Sequence, residues 1–180
     1  FKEQLKLFTT HSTETLEQAQ DNQEVSLGGI LTNFKTNVDK KGKLMAFASL
    51  EDFWGGVELV IFSDVFEKFR DLIYLDALVW IKGRASTKEG EKAKIIVNSF
   101  VPLEEVFQKV PAKLHLLLGK QDWDSNSLEN LKRVLATSSG KTAVFLHVNT
   151  NQERLTLRLN SAVSLNEQLL HTLRDLLGEE

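Results

Sequence analysis

The stretch Val57–Tyr74, VELVIFSDVFEKFRDLIY, changes its hydrophobic period partway through, and that change decides the fold. Val57–Phe62 is β-branched and aromatic, the composition of a strand. From Asp64 to Tyr74 the apolar residues Val65, Phe66, Phe69, Leu72 and Ile73 recur at helical spacing, with Glu67, Lys68, Arg70 and Asp71 between them. Upstream, Val25–Val38 reads as a long strand, and its internal pair Gly28-Gly29 suggests a bulge or sharp bend. Asp39-Lys40-Lys41-Gly42 is a hairpin turn, Leu44–Leu50 a second strand, and Trp54-Gly55-Gly56 a second turn. Downstream, strands return at Ala77–Thr87 and Ala93–Val101, joined by Lys88-Glu89-Gly90-Glu91. Residues 25–101 therefore read β-β-β-α-β-β, the order of a five-stranded OB-fold barrel.

The remaining sequence divides around that barrel. Residues 1–24 read as a polar, helical linker segment anchored by Leu5, Phe8 and Leu16. Pro102 and Pro111 bracket a connector, residues 102–112. Beyond it come a strand (113–119), a helix (125–137), two strands (142–149 and 154–160) joined by an Asn151-Gln152 turn, and a final helix (165–177). The expected class is thus mainly β plus α+β: a barrel over 25–101 followed by a small βαββα domain over 113–180. A chain of 180 residues with 42% apolar and 26% charged residues suits two small globular domains. No apolar run is long enough to cross a bilayer, and a cytoplasmic location is expected. The absence of cysteine excludes disulfides, zinc-thiolate sites and thiol catalysis. The chain starts at Phe1, which suggests a piece of a longer protein.

Charge distribution is more informative than the net charge of -3. Residues 35–43 carry Lys35, Lys40, Lys41 and Lys43 against Asp39. Residues 82–94 carry Lys82, Arg84, Lys88, Lys92 and Lys94 against Glu89 and Glu91. An OB barrel holds a nucleic-acid strand on the face of its second and third strands, between the loops that join strands one and two and strands four and five. The two basic clusters are those two loops. Alternation along the second strand sends Ala46, Ala48 and Leu50 to one side and Met45, Phe47 and Ser49 to the other. The set ending in Leu50 suits the interior, which leaves Phe47 outward as a base-stacking platform. Phe34 is a second candidate platform. The candidate nucleic-acid site is therefore Phe34, Lys35, Lys40, Lys41, Lys43, Phe47, Lys82, Arg84, Lys88 and Lys92. The competing reading makes the lysines ordinary solvated turn residues and Phe47 half-buried under a loop.

The run Lys40-Lys41-Gly42-Lys43-Leu44-Met45-Ala46-Phe47, with Leu50-Glu51-Asp52, Glu58–Phe62, Asp64-Val65-Phe66 and Phe69-Arg70, resembles the OB domain of the bacterial DNA polymerase III alpha subunit. Val79–Arg84 is similar to that family's fourth strand, and Ala143–Val148 and Leu155–Leu159 to its C-terminal domain. The resemblance implies a module without the polymerase active site, whose catalytic carboxylates lie far upstream in the family. It implies single-stranded template as the barrel's ligand and the tau subunit of the clamp loader as the partner of the C-terminal domain. The parent protein would then be a DNA-directed DNA polymerase.

Other features carry less. Gln4-Leu5-Lys6-Leu7-Phe8 resembles the short peptides that dock on the sliding clamp, but Leu5 and Phe8 packing a helix onto the barrel is the favoured reading. His11, His115, His147 and His171 are scattered over separate elements without metal-ligand spacing. Glu51-Asp52 reads as turn-forming, since adjacent strand residues point to opposite faces. The leucines of the last helix read as core, with a leftover part available to a partner. No catalytic residues, metal or cofactor are expected in this chain. Two rival readings stay open: a pure protein-interaction module of the replisome, and an anticodon-binding OB domain.

Overall fold

Alternating apolar residues make Glu24–Val38 a single long strand (β1), the element on which the first unit is built. In this computed structural model, which describes residues 2–88, 90–118, 125–149 and 154–178, the chain forms two compact units, Phe1–Val106 and Phe107–Glu180.

In the first unit β1 is followed by β2 (Leu44–Glu51), β3 (Gly56–Ile61), a helix at Ser63–Phe69, β4 (Leu78–Ser86) and β5 (Lys94–Pro102). The strands close a barrel in the order β1-β2-β3-β5-β4, the five-stranded OB-fold expected. Closure is completed by a short parallel pairing of β3 with β5, from Glu58↔Lys94 to Val60↔Ile96. The long first strand serves two neighbours: Glu24–Ile30 pair with β4 and Ile30–Val38 with β2.

The bulge expected at Gly28-Gly29 lies elsewhere, because the β1–β2 register shifts between Leu31 and Asn33. The two glycines answer close approach instead. A Cβ on Gly29 would lie 2.2 Å from the Glu51 carbonyl oxygen, and one on Gly28 would lie 2.1 Å from Leu5 Cδ2. At Gly29, where the obstacle is backbone, only a residue without a side chain lets β1 pass from one partner to the other, whereas at Gly28 it is the end of a flexible leucine side chain.

The barrel interior is aliphatic: Leu27, Leu31, Leu50, Leu59, Ile61, Ile81 and Ile95 are fully buried. Phe66 and Ile73 are buried on the same core, and Phe69 packs near Phe100 with ring centroids 5.9 Å apart. The expected helix over 64–74 is shorter, ending as a 3-10 turn at Arg70–Leu72.

The N-terminal segment is not one long helix. An α-helix, α1 (Lys2–Phe8), stops where Thr9 Oγ1 donates to the Leu5 carbonyl at 2.6 Å and Thr10 N–H donates to the Ser26 carbonyl at 3.0 Å. Threonine hydroxyls offer the backbone partners that compete with helix continuation, and only a 3-10 turn at Leu16–Gln18 follows. Leu5 and Phe8 are buried, and the Trp80 indole N–H donates to the Phe8 carbonyl at 2.8 Å. The helix-packing reading of Leu5 and Phe8 is the one observed. Phe8 is not presented as a clamp-docking peptide would present it. With the helix Ser63–Phe69 as α2, residues 102–112 contain a 3-10 turn at Leu103–Glu105 and a single helical turn, α3 (Val106–Lys109), with Leu103 and Val106 buried.

The second unit is a three-stranded sheet with two helices: β6 (Lys113–Leu118), α4 (Ser125–Thr137), β7 (Ser139–Asn149), β8 (Arg154–Val163) and α5 (Glu167–Leu177). The order is β6-β7-β8, parallel then antiparallel. This is the βαββα pattern, and the Asn151-Gln152 turn lies outside the described residues. Leu114, Leu116, Leu118, Val144 and Leu146 from the sheet meet Leu131, Leu135, Leu169 and Leu173 from the helices. Leu170, Leu176 and Leu177 pack on the same core, so the last helix's leucine stripe is accounted for by its own unit. Asn166 Oδ1 caps α5 by accepting from Leu169 N–H at 2.8 Å.

Candidate functional site

The register of the barrel builds an outward row across five strands. In β2, Ala46, Ala48 and Leu50 are buried while Met45, Phe47 and Ser49 are half-buried, as alternation requires. Phe47 faces Lys35 on β1 and Val60 on β3. Val60 pairs with Ile96 on β5, and Ile96 with Arg84 on β4. The outer surface therefore reads Lys35–Phe47–Val60–Ile96–Arg84: three half-buried apolar residues between two exposed cations. At the usual strand spacing this row covers roughly 19 Å of arc and winds around the closed barrel, since Arg84 pairs on its other side with Glu24, at the far end of β1 from Lys35. A ring and two aliphatic side chains between cations suit nucleobases between phosphates.

The β1–β2 loop adds charge in a fixed frame. Asp39 N–H donates to the Lys43 carbonyl at 2.8 Å, and Gly42 N–H to the Asp39 carbonyl at 3.0 Å. Gly42 sits at φ 76°, the left-handed region that glycine adopts at little cost. The Asp39 carboxylate accepts from Lys43 N–H at 2.9 Å and Lys41 N–H at 2.8 Å, with the Ser63 hydroxyl at 3.4 Å. These donors, the Lys43 amide foremost, hold the Asp39 pKa below the ordinary aspartate range. The loop's single acid is thereby spent on backbone amides, and Lys40 and Lys41 stand exposed at its tip.

The β4–β5 loop carries exposed Lys88 and Lys92. Its start is tied down by Thr87, whose N–H donates to Asp21 Oδ1 at 3.1 Å and whose hydroxyl donates to the Ala19 carbonyl at 3.2 Å. Lys92 also lines a groove of about 620 Å³ with Thr13, Glu17 and Glu58.

The ten expected residues do not all stand alike. Lys35, Lys40, Lys41, Arg84, Lys88 and Lys92 are exposed, and among the described residues they make no ion pair. Lys43 Nζ is paired with Asp64 at 3.3 Å, and Lys82 Nζ with Glu24 at 2.8 Å. Both pairs are open to solvent and exchangeable. Phe34 departs from expectation. It pairs with Ala48, turns inward and packs near Phe66 at 6.0 Å between centroids. The register slip after Leu31 moves it to that side, so it is no outward platform.

Two further features were not singled out from sequence. Phe53 and Trp54 are exposed on the β2–β3 turn, edge-to-face at 5.9 Å, above an Asp52 carboxylate that accepts from Trp54 N–H at 2.8 Å and Thr13 N–H at 2.8 Å. His115 and His147, read as scattered, meet: His115 Nδ1 lies 2.8 Å from His147 Nε2. Alternation already placed each outward on its own strand, and the parallel β6–β7 register supplies the rest. Among the described residues no group of three or more His, Asp or Glu is disposed to hold a metal. No helix among them is long and apolar enough to cross a membrane.

Comparison with known proteins places these observations. Residues 25–103 match the family model described as an OB-fold nucleic acid binding domain. DNA polymerase III subunit alpha of Bacillus subtilis is 26% identical over 97% of this chain. The same subunit of Escherichia coli K12 is 25% identical over 87% of it. These alignments span only 16% and 14% of the relatives' own lengths, at their C-terminal end. The yeast mitochondrial single-stranded DNA binding protein Rim1 superposes on 46% of this chain and 97% of its own at 14% identity and a TM-score of 0.39, too loose a likeness to bear on function. The kinship expected over nearly the whole chain, most specifically in residues 40–70, is therefore found.

Proposed function

We propose that this chain, a homologue of the C-terminal end of DNA polymerase III subunit alpha, is a non-catalytic module of a replicative DNA polymerase that holds single-stranded DNA on the outer face of its barrel. The observation that carries this reading is the row Lys35–Phe47–Val60–Ile96–Arg84, flanked by the exposed lysines of two loops. Phe47 stacks on a base, Val60 and Ile96 extend the apolar floor, and Lys35, Arg84, Lys40, Lys41, Lys88 and Lys92 neutralise phosphates. Stacking and phosphate neutralisation act on every base alike, so binding is independent of sequence. With few phosphate contacts it is weak and salt-sensitive. Nucleotidyl transfer belongs to the parent polymerase, outside this chain.

The second unit, by the same kinship, docks the tau subunit of the clamp loader. Fluorescence anisotropy of a labelled oligo(dT), with transfer RNA and an equal-length duplex as competitors, tests the barrel reading. Binding to the single strand that Phe47→Ala weakens and transfer RNA displaces no better than oligo(dT) is the expected result. Preference for transfer RNA favours an anticodon-binding role. No binding at low salt leaves a protein-interaction module. Surface plasmon resonance against immobilised tau tests the second contact.

A further inference from the structure

The helices of the second unit cover only one face of its sheet. Leu114, Leu116, Leu118, Val144 and Leu146 turn toward α4 and α5. The alternate positions face the other way: Lys113, His115 and Leu117 on β6, Phe145 and His147 on β7, Thr156 and Arg158 on β8. Among the described strand residues that alternate onto this face, none is acidic. In a chain with 25 acids against 22 bases, an acid-free face with protruding cations is a selective attraction for an anion.

The rings on this face are already ordered. His115 lies parallel to Phe145, with centroids 5.0 Å apart and planes 11° apart, and parallel to His147 at 5.1 Å and 17°. The His115 Nδ1 to His147 Nε2 hydrogen bond of 2.8 Å holds the two imidazoles together, and His147 Nδ1 is fastened to Thr156 Oγ1 at 2.9 Å. Lys113 Nζ sits 5.7 Å from the Phe145 centroid, and Arg158 is the cross-strand partner of Phe145. Three parallel rings with two cations beside Phe145 present both contacts that an unpaired nucleic-acid strand uses, ring stacking and phosphate neutralisation, on an open sheet surface.

We propose that this face of the second unit is a second binding surface for single-stranded nucleic acid. Bases extend the Phe145–His115–His147 row, and Lys113 and Arg158 meet the flanking phosphates. The surface is separate from the barrel and does not depend on the barrel binding a strand.

The test is proton NMR of the histidine ring resonances of the whole chain, assigned with His→Gln variants, during titration with oligo(dT). The His115 and His147 signals are expected to shift while His171, whose Nδ1 lies 2.8 Å from Asp175 on α5, stays in place. A Lys113→Glu, Arg158→Glu variant, altered only at exposed positions, is expected to lose those shifts with its circular dichroism unchanged. In a Lys40→Ala, Lys41→Ala, Phe47→Ala background the same charge reversal is expected to lower residual affinity roughly tenfold or more. Unmoved His115 and His147 signals at saturating oligonucleotide overturn the proposal, as do equal shifts in the charge-reversed variant, and either result leaves the face to a protein partner.

Discussion

Replacing Lys40 and Lys41 together by alanine flattens the salt dependence of strand binding by a calculable amount. Six exposed cations line the barrel and its loops, without an ion-pair partner among the described residues: Lys35, Lys40, Lys41, Arg84, Lys88 and Lys92. Each phosphate neutralised on a single strand contributes about −0.7 to the slope of log K against log salt, so full engagement gives a slope of about −4. Raising salt from about 50 to about 200 mM then weakens the wild type roughly 300-fold. Removing the two loop-tip lysines takes the slope to about −3 and the loss to roughly 50-fold over the same range. Neither lysine side chain holds the hairpin, which is closed by main-chain bonds and the Asp39 carboxylate, so the fold is unaffected. Anisotropy of a labelled oligo(dT) at several salt concentrations measures both slopes, and circular dichroism checks the fold. An unchanged slope in a folded variant refutes the assignment of this loop to the phosphate track.

Three further outcomes follow from the same geometry. Phe47→Ala removes a stacking platform worth ~1–3 kcal/mol, a loss of roughly 5- to 150-fold in affinity, while leaving the salt slope as it was. Phe66→Ala opens a cavity on the barrel core and lowers stability by about 3–5 kcal/mol, measured by urea unfolding. Asp39 has a folded pKa below its unfolded one, so its stabilisation of the hairpin is complete above the unfolded pKa and is lost as pH falls through the folded value. NMR titration of its carboxyl carbon should show a midpoint below the ordinary aspartate range, and Asp39→Asn should destabilise the chain at neutral pH and approach parity with it in acid.

Local patterns carried most of the fold. The period change at Ser63 marked the helix after the third strand, and alternation in Leu44–Leu50 separated interior from exterior correctly because the extra residue in the β1–β2 pairing lies on β1, leaving β2 itself unbroken. Non-local terms account for what local pattern could not reach. Phe34 changed sides through a register slip three residues upstream, which no composition signal marks. Lys43 and Lys82 met Asp64 and Glu24 only once separate elements were brought together. Helix propensity over residues 1–20 lost to the Thr9 hydroxyl bond back to the Leu5 carbonyl and to the bonds between Thr10 and Ser26 of β1. His115 and His147 came together through a parallel pairing between strands flanking α4, a contact that spacing along the chain does not encode.

The most direct test of the central claim is photocrosslinking of a bromouracil-substituted oligo(dT) to the intact chain, with the joined peptide mapped by mass spectrometry. A strand lying across the outer face of β1, β2 and β3 attaches chiefly to the peptide carrying Phe47, and excess unlabelled oligo(dT) suppresses the product. Attachment confined to α1 or to the second unit, with the Phe47 peptide unmodified, contradicts the assignment of the barrel as the strand-holding surface.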